Sequence, residues 1–335
     1  MRRGDALLPW NIVAFVLIGG FAFISGVNDG GNLVGTFLPT RAIAPRLLIP
    51  ALVLSVGLGP FVFGTAVSHT IAVEILNFRA AGLPTLDVAA ASSILTLLLC
   101  WRLKVPSSTT AAIAGGMVGA AFVHGEAGLL HWAGVLKVMV GLFGSVLIGF
   151  LVSFLVTRVI WRVLSGASTA TARRLGYAQL GTLMVQGLAY GANDQEKAIG
   201  LLTLFFVMSH QTSHYQVTPL TVLIPLAFWV GGLLTGGWRI ARTVGGHIFR
   251  IRPVHSLTVQ ASAAATVLTA AVLGVPVSTT QTTDGALFGL GAALAPRRVQ
   301  WRTAYRLARV WFITLPLAVA LGMAVMEAQR LAPHL

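Results

Sequence analysis

From residue 10 to residue 327 the chain is a succession of apolar runs separated by short loops that carry arginine. A run of about 20 apolar residues is long enough to cross a bilayer as a helix, so the pattern dictates a multi-pass membrane protein. The runs are continuous rather than alternating, which disfavours a β-barrel. With 56% hydrophobic and only 10% charged residues, a water-soluble enzyme is excluded. The formal charge of +14 would suggest nucleic acid in a soluble chain. Here it reads as cytoplasmic loops obeying the positive-inside bias, with no nucleic-acid partner. The segment after Arg2 and Arg3 could mimic a signal peptide, but no small-residue cleavage site follows Trp10–Ser25 and it is read as a retained first helix. Cys100 stands alone in an apolar stretch, without a disulfide or cysteine-metal partner, and is assigned to packing.

An internal repeat organises these runs. Gly26-Val27-Asn28-Asp29 recurs as Gly191-Ala192-Asn193-Asp194, and Val105-Pro106-Ser107-Ser108-Thr109-Thr110 recurs as Val275-Pro276-Val277-Ser278-Thr279-Thr280. The offsets are 165 and 170 residues, in the same order, so the chain divides into homologous halves, 1–165 and 170–335. Five apolar segments are expected in the first half (10–38, 47–76, 86–104, 106–123, 132–160) and five in the second (175–208, 218–238, 255–274, 276–295, 310–327). An odd number per half requires the halves to enter the membrane from opposite sides, as inverted repeats do. Placing the linker 158–174 in the cytoplasm puts 15 of the 23 basic residues on that side, while loops 124–131 and 210–217 carry no Lys or Arg. Both termini then lie outside, in the inner (plasma) membrane. Arg102, Lys104, Lys137 and Lys197 are not placed by this rule.

Asn28, Asp29, Asn193 and Asp194 fall inside or at the end of apolar runs. An ionisable group at that depth costs of order 3 kcal/mol, and a functional site is the default reading. Carboxylate and amide oxygens are hard ligands for Na⁺, and a carboxylate can equally carry a proton. The glycines Gly26, Gly30, Gly31 and Gly191 are expected to let the helix break and free backbone carbonyls for coordination. In each P-x-S-T-T cluster a proline precedes hydroxyls that open a small-residue helix, a position where Ser or Thr can cap. Such an N-terminus favours an anion, and two of them facing one another could hold a tetrahedral oxyanion through Ser107, Ser108, Thr109, Thr110, Ser278, Thr279 and Thr280. Because segments 86–104 and 255–274 lead straight into these prolines, each pair is expected to form a helical hairpin.

Secondary candidates are Glu196 and Lys197, which could pair with each other or with Asp194; Asp284, one turn beyond Thr280; and Gln281. Glu74 reads as solvated near an outer helix end. His124, His131, His210 and His214 gather in the outer loops without metal-ligand spacing. No G-x-x-x-x-G-K-[ST] occurs, so nothing suggests ATP hydrolysis.

Gly-x-Asn-Asp in each half, Asn32, Thr40-Arg41-Ala42-Ile43-Ala44-Pro45-Arg46, and the paired P-x-S-T-T clusters resemble the inorganic phosphate transporter (PiT) family over about residues 20–124 and 185–295. The resemblance implies an all-α secondary carrier of inverted repeats with paired helical hairpins. Phosphate would be coupled to Na⁺ or H⁺, with no organic cofactor. It points to Asn28, Asp29, Asn32, Asn193 and Asp194 at the coupling-ion site, with Na⁺ at Asp29 and Asp194. Ser108, Thr109, Thr110, Ser278, Thr279 and Thr280 then belong to the substrate site, and Lys197 matches a lysine common in bacterial members. The family's P-x-S-T-T is usually followed by His, whereas this chain has Ala111 and Gln281, and Glu196 adds an acid to the second motif.

The expected function is therefore symport of inorganic phosphate with Na⁺ or H⁺ by alternating access, in contact with membrane lipid. Association into a homo-oligomer is left open by the sequence. The alternatives are a sulfate or other oxyanion permease of the same fold and an intramembrane lipid-phosphate enzyme. Retention of both Asn-Asp motifs favours phosphate, and the two-half symmetry argues against the enzyme.

Overall fold

The computed structural model describes residues 8–37, 43–103, 107–123, 126–163, 169–247 and 253–331. Among them the architecture is helical: α1 (Leu8–Ser25), a π turn (Gly26–Gly30) and α2 (Gly31–Phe37); α3 (Pro45–Phe63), α4 (Ala66–His69) and a second π turn (Thr70–Glu74); α5 (Phe78–Ala81), α6 (Leu83–Arg102), α7 (Thr109–Val123) and α8 (Trp132–Val163). The second half continues with α9 (Thr169–Tyr190), a third π turn (Gly191–Gln195), α10 (Glu196–Met208), α11 (Pro219–His247), α12 (Pro253–Val272), α13 (Thr279–Leu294) and α14 (Trp301–Leu331).

Apolar and polar surfaces are inverted relative to a soluble protein. Leu136, Val140, Leu147, Leu151, Leu155 and Val159 of α8 stand exposed, as do Phe312 and Ile313 of α14. Asn28, Asp29, Asn193, Asp194, Glu196 and Lys197 are buried. That distribution is what a lipid-facing perimeter around a polar centre requires. Among the described residues, six helical stretches are long and apolar enough to span a membrane: Asn11–Phe37, Arg46–Phe63, Leu83–Arg102, Trp132–Val163, Pro219–Ala241 and Trp301–Leu331. Ten segments are expected from the sequence, which leaves open whether the hairpins 86–123 and 255–295 cross fully. At 15 and 16 residues, α7 and α13 reach only about 22–24 Å against a hydrocarbon core of about 30 Å. α12 has the length but carries Ser256, Thr258, Gln260, Ser262 and Thr266.

Two other boundaries shift. The run 47–76 is interrupted, because α3 ends where Gly64 adopts φ 84° and its N–H closes on the Pro60 carbonyl; only glycine takes that conformation cheaply. Within the linker expected over 158–174, α8 runs on to Val163 and α9 begins at Thr169, and residues 164–168 lie outside the described residues.

Packing is reciprocal between the halves. α1 packs on α11 as α9 packs on α3; α6 lies on α1 and α7 as α12 lies on α9 and α13; and α7 packs on α14 as α13 packs on α8. Each half completes its core with helices of the other.

Candidate functional site

Both Asn-Asp motifs lie on π turns at matching places in two long helical rods, 8–37 and 169–208. The expected break therefore does not occur; the chain stays helical and widens by one residue, a bulge frequent at functional sites. The glycines serve contact instead. A β-carbon on Gly26 would lie 1.9 Å from the carbonyl oxygen of Trp229 on α11, and one on Gly191 would lie 2.1 Å from that of Val56 on α3. Neither position admits a side chain without moving a neighbouring backbone, so each π turn is pressed against the other half.

The hydroxyl motifs occupy the links between α6 and α7 and between α12 and α13, with helices starting at Thr109 and Thr279 rather than at the prolines. Pro276 lies in its link, and Pro106 falls outside the described residues. Ser108 Oγ accepts the Ala111 N–H at 3.1 Å, and Ser278 Oγ accepts the Gln281 N–H at 3.3 Å. These serines cap their helices, each satisfying one of the orphan first-turn donors. The two tips touch: Thr110 Oγ1 donates to the Val277 carbonyl at 2.7 Å.

Both motifs bind these tips, and they do so crosswise. Within the first half, Asn28 Nδ2 donates to the Ser107 carbonyl at 2.8 Å and to Asp29 Oδ1 at 2.9 Å, while the Ser107 N–H returns to Asn28 Oδ1 at 3.3 Å. Across the halves, Thr280 Oγ1 donates to Asp29 Oδ1 at 3.1 Å and Lys197 Nζ donates to Thr109 Oγ1 at 3.0 Å. Asp194 holds Lys197 through one carboxylate oxygen and accepts the Thr279 hydroxyl through the other. Asp29, Asp194 and Lys197 are close enough to act on one another electrostatically. With both carboxylates ionised the three sum to a single negative charge, so an anion entering this centre needs cations beside it.

Of the expected residues, Asn28, Asp29, Asp194, Lys197, Ser107, Thr109, Thr110, Thr279 and Thr280 converge through these bonds. Ser108 and Ser278 flank them as caps. Asn193 is fully buried, with neither its amide oxygen nor its nitrogen bonded to protein among the described residues. Asn32 bonds Tyr190 OH at 3.2 Å, one turn away. Glu196 does not pair with Lys197: its Oε2 accepts the Ser68 N–H at 2.9 Å, which ties α10 to α4. Gln281 is buried, and only its backbone joins the cap. Asp284 is buried without a hydrogen-bond partner on either oxygen among the described residues. Glu74, read as solvated, is half-exposed and paired with Lys137 at 3.0 Å and His69 at 3.4 Å. Lys104 and His124 fall outside the described residues.

Sequence reasoning missed Ser25 and Tyr190, which occupy matching positions one turn before their motifs. Ser25 Oγ donates to Asp29 Oδ2 at 3.0 Å. Its i, i+4 spacing from Asp29 was a usable signal; Tyr190, by contrast, acts on a residue 158 positions away.

The profile of the phosphate transporter family matches residues 25–322. A Bacillus subtilis (strain 168) protein described as "Probable low-affinity inorganic phosphate transporter" is 31% identical over 324 residues, covering 95% of this chain and 96% of that protein. A Mycobacterium tuberculosis (strain ATCC 25618 / H37Rv) protein of the same description is 33% identical over 307 residues, covering 90% of this chain and 73% of that one. A solved structure titled "The sodium-dependent phosphate transporter" superposes with a TM-score of 0.87 at 22% identity, over 96% of this chain and 99% of that chain. At that identity it establishes the shared fold. A multi-pass membrane protein with two buried Asn-Asp π turns clasping two hydroxyl-bearing tips, this chain belongs to the phosphate transporter family, a family of carriers and not of enzymes.

Proposed function

We propose that the chain is a secondary transporter carrying inorganic phosphate across the membrane together with Na⁺ or H⁺ by alternating access. The observation that carries this reading is the crossed clasp: Asp29 of the first half holds Thr280 of the second, and Lys197 of the second holds Thr109 of the first. Because each motif grips both tips, a tetrahedral anion binding the hydroxyls and helix N-termini of α7 and α13 must loosen bonds that tie the halves together. Lys197 supplies positive charge to the anion, while Asp29 and Asp194, relieved of hydroxyl donors, take up cations. Charge balance then couples the two fluxes. The reciprocal packing of the halves supports an inverted repeat of 1–165 on 170–335, and the short α7 and α13 support hairpins that do not fully cross. The inner (plasma) membrane with both termini outside agrees with the arginine distribution.

Uptake of radiolabelled phosphate into liposomes holding the purified protein tests this, run under a Na⁺ gradient, a pH gradient or neither, with sulfate as competitor. Na⁺ is the first arm because the solved structure of the same fold is titled sodium-dependent. Gradient-driven phosphate accumulation is expected. Accumulation of sulfate in its place would assign the Ala111 and Gln281 departures to a change of substrate, and movement of neither anion would overturn the carrier reading.

A further inference from the structure

We infer a binding site for the headgroup of an anionic phospholipid at the C-terminal end of α8, apart from the clasp and independent of what the clasp carries. Thr157, Arg158, Trp161 and Arg162 of α8 and Ala293 and Leu294 at the end of α13 line a cleft of about 440 Å³. Residues four apart on a helix share a face, so Arg158 and Arg162 stand one above the other on its wall, and both are exposed. The Arg158 guanidinium lies over the Phe154 ring at 4.8 Å, a stacking that leaves the N–H edge of the fork for an oxyanion. Trp161 packs on His255 of α12, with ring centroids 6.2 Å apart, which steadies the wall between the two arginines.

The cleft stands at the level of lipid headgroups. α8 is 32 residues long, about 48 Å at 1.5 Å per residue, against a hydrocarbon core of about 30 Å, so its last turns pass out of the hydrocarbon. Trp161, Trp301 and Tyr305 are exposed, and such aromatic residues mark a membrane boundary. Leu151, Leu155, Arg158 and Arg162 follow one another at spacings of four, three and four, a single stripe of the helix. Its leucines are exposed to lipid and its arginines continue the stripe into the cleft. That is the profile of a phospholipid: acyl chains along the leucines, a phosphodiester at the arginines. The one acid on α8 or α13 is Asp284, ten residues and about 15 Å before Leu294. Basic pockets between helices on the cytoplasmic side bind anionic headgroups, and the orientation proposed above places this end there.

The repeat shows that the fold itself does not demand these arginines. α14 packs on α7 as α8 packs on α13, and close contacts fix the register. A β-carbon on Gly289 would lie 2.1 Å from the Phe150 carbonyl oxygen, and one on Gly119 would lie 2.2 Å from that of Val319. Subtracting 150 from 319 gives an offset of 169, which sets Glu327 in the place of Arg158 and Leu331 in the place of Arg162. Arg330 stands three residues from Glu327, so that end of α14 is balanced in charge where the end of α8 carries two cations. The cleft also touches the helix that serves the clasp. α13 carries Thr279 and Thr280 in its first turn and Leu294 in its last, so a lipid seated here fastens the far end of that helix to α8.

The test uses the full purified chain in detergent, titrated with phosphatidylglycerol, with phosphatidylcholine of the same acyl chains, and with glycerophosphoglycerol, which is the anionic headgroup without chains. Bound lipid is counted by native mass spectrometry, and its effect is read as a shift in thermal unfolding. Phosphatidylglycerol is expected to remain bound to the wild type and to raise its melting midpoint. Replacing Arg158→Gln together with Arg162→Gln should weaken that binding about 30-fold, from the loss of two cations at the headgroup. Ala293→Phe keeps both arginines but fills the cleft, and should lose the response as well. Arg302→Gln together with Arg309→Gln removes the same charge from residues that do not line the cleft, and should stay within about threefold of wild type. Equal loss in both arginine pairs would show a diffuse charge field and overturn the site. Equal stabilisation by phosphatidylcholine would overturn the headgroup assignment, and an equal effect of glycerophosphoglycerol would overturn the lipid in favour of a soluble anion. Phosphate uptake plays no part in these readings, so failure of the carrier reading leaves the lipid site standing and failure of the lipid site leaves the carrier reading standing.

Discussion

Removing the charge of Lys197 isolates the electrostatics of the clasp. Neither Lys197 nor Asp194 reaches solvent, and the ammonium divides its donors between Asp194 and Thr109. Lys197→Met keeps the length of the side chain but leaves a buried carboxylate with only the Thr279 hydroxyl. Breaking one side of a buried pair costs roughly 3–5 kcal/mol. Asp194→Asn leaves the converse, a buried ammonium supported by one hydroxyl, at a similar cost. The double variant removes both charges and keeps an acceptor for Thr279, so its loss should fall short of the summed losses by roughly 2–3 kcal/mol. At about 2 °C per kcal/mol for a chain of this size, each single variant should melt of order 6–10 °C below wild type. Thermal unfolding of the three purified variants reads this directly. If the single losses add to within about 0.5 kcal/mol of the double, the two residues are not coupled and the ion pair is not what holds this end of the clasp.

Two further outcomes follow from the geometry. Gly26→Ala forces a β-carbon against the Trp229 carbonyl at 1.9 Å, so it should destabilise by about 1–3 kcal/mol or more through separation of α1 from α11; a melting midpoint equal to wild type would refute the close contact. Burial raises the Glu74 carboxyl, but the hydrogen bond and charge of Lys137 outweigh it and hold the group below its ordinary 4.5. A lowered folded-state value makes the pairing fully effective above the ordinary value and lost as pH falls through the lowered one. The stability gap between wild type and Lys137→Met should therefore narrow on acidification from about pH 7 to about pH 3; a gap constant with pH would show that the pair contributes nothing, and its half-exposed setting keeps the expected gap small.

The parts of this molecule that were readable beforehand are those whose signal is carried by neighbours in sequence. Paired Asn-Asp and S-T-T motifs pointed to the residues of the clasp, because depth in an apolar run and recurrence are one-dimensional facts. The π turns were not readable. A glycine beside Asn-Asp fits a break or a backbone contact equally well, and only the position of Trp229 or Val56 from the other half decides. The interruption at Gly64 was hidden because hydropathy is blind to φ, although Pro60 four residues earlier was a hint. Asp284 stood as a candidate from its place one turn beyond Thr280, but that both its oxygens would be buried without a partner among the described residues depends on what packs around α13 and is not written in its neighbours in sequence.

The interlocked halves also bear on how such a chain is made. When α1–α8 have been synthesised, the Gly26 face still lacks α11 and Asp29 still lacks Thr280. A nascent first half thus carries a carboxylate and a narrow backbone cleft that only later-made helices can cover. Final assembly is therefore post-translational in its logic, a mutual docking of two incomplete pieces, each serving as the other's chaperone. Two half-length polypeptides produced together should reconstitute the protein, while either produced alone is left with its polar face toward lipid and becomes a substrate for membrane quality control.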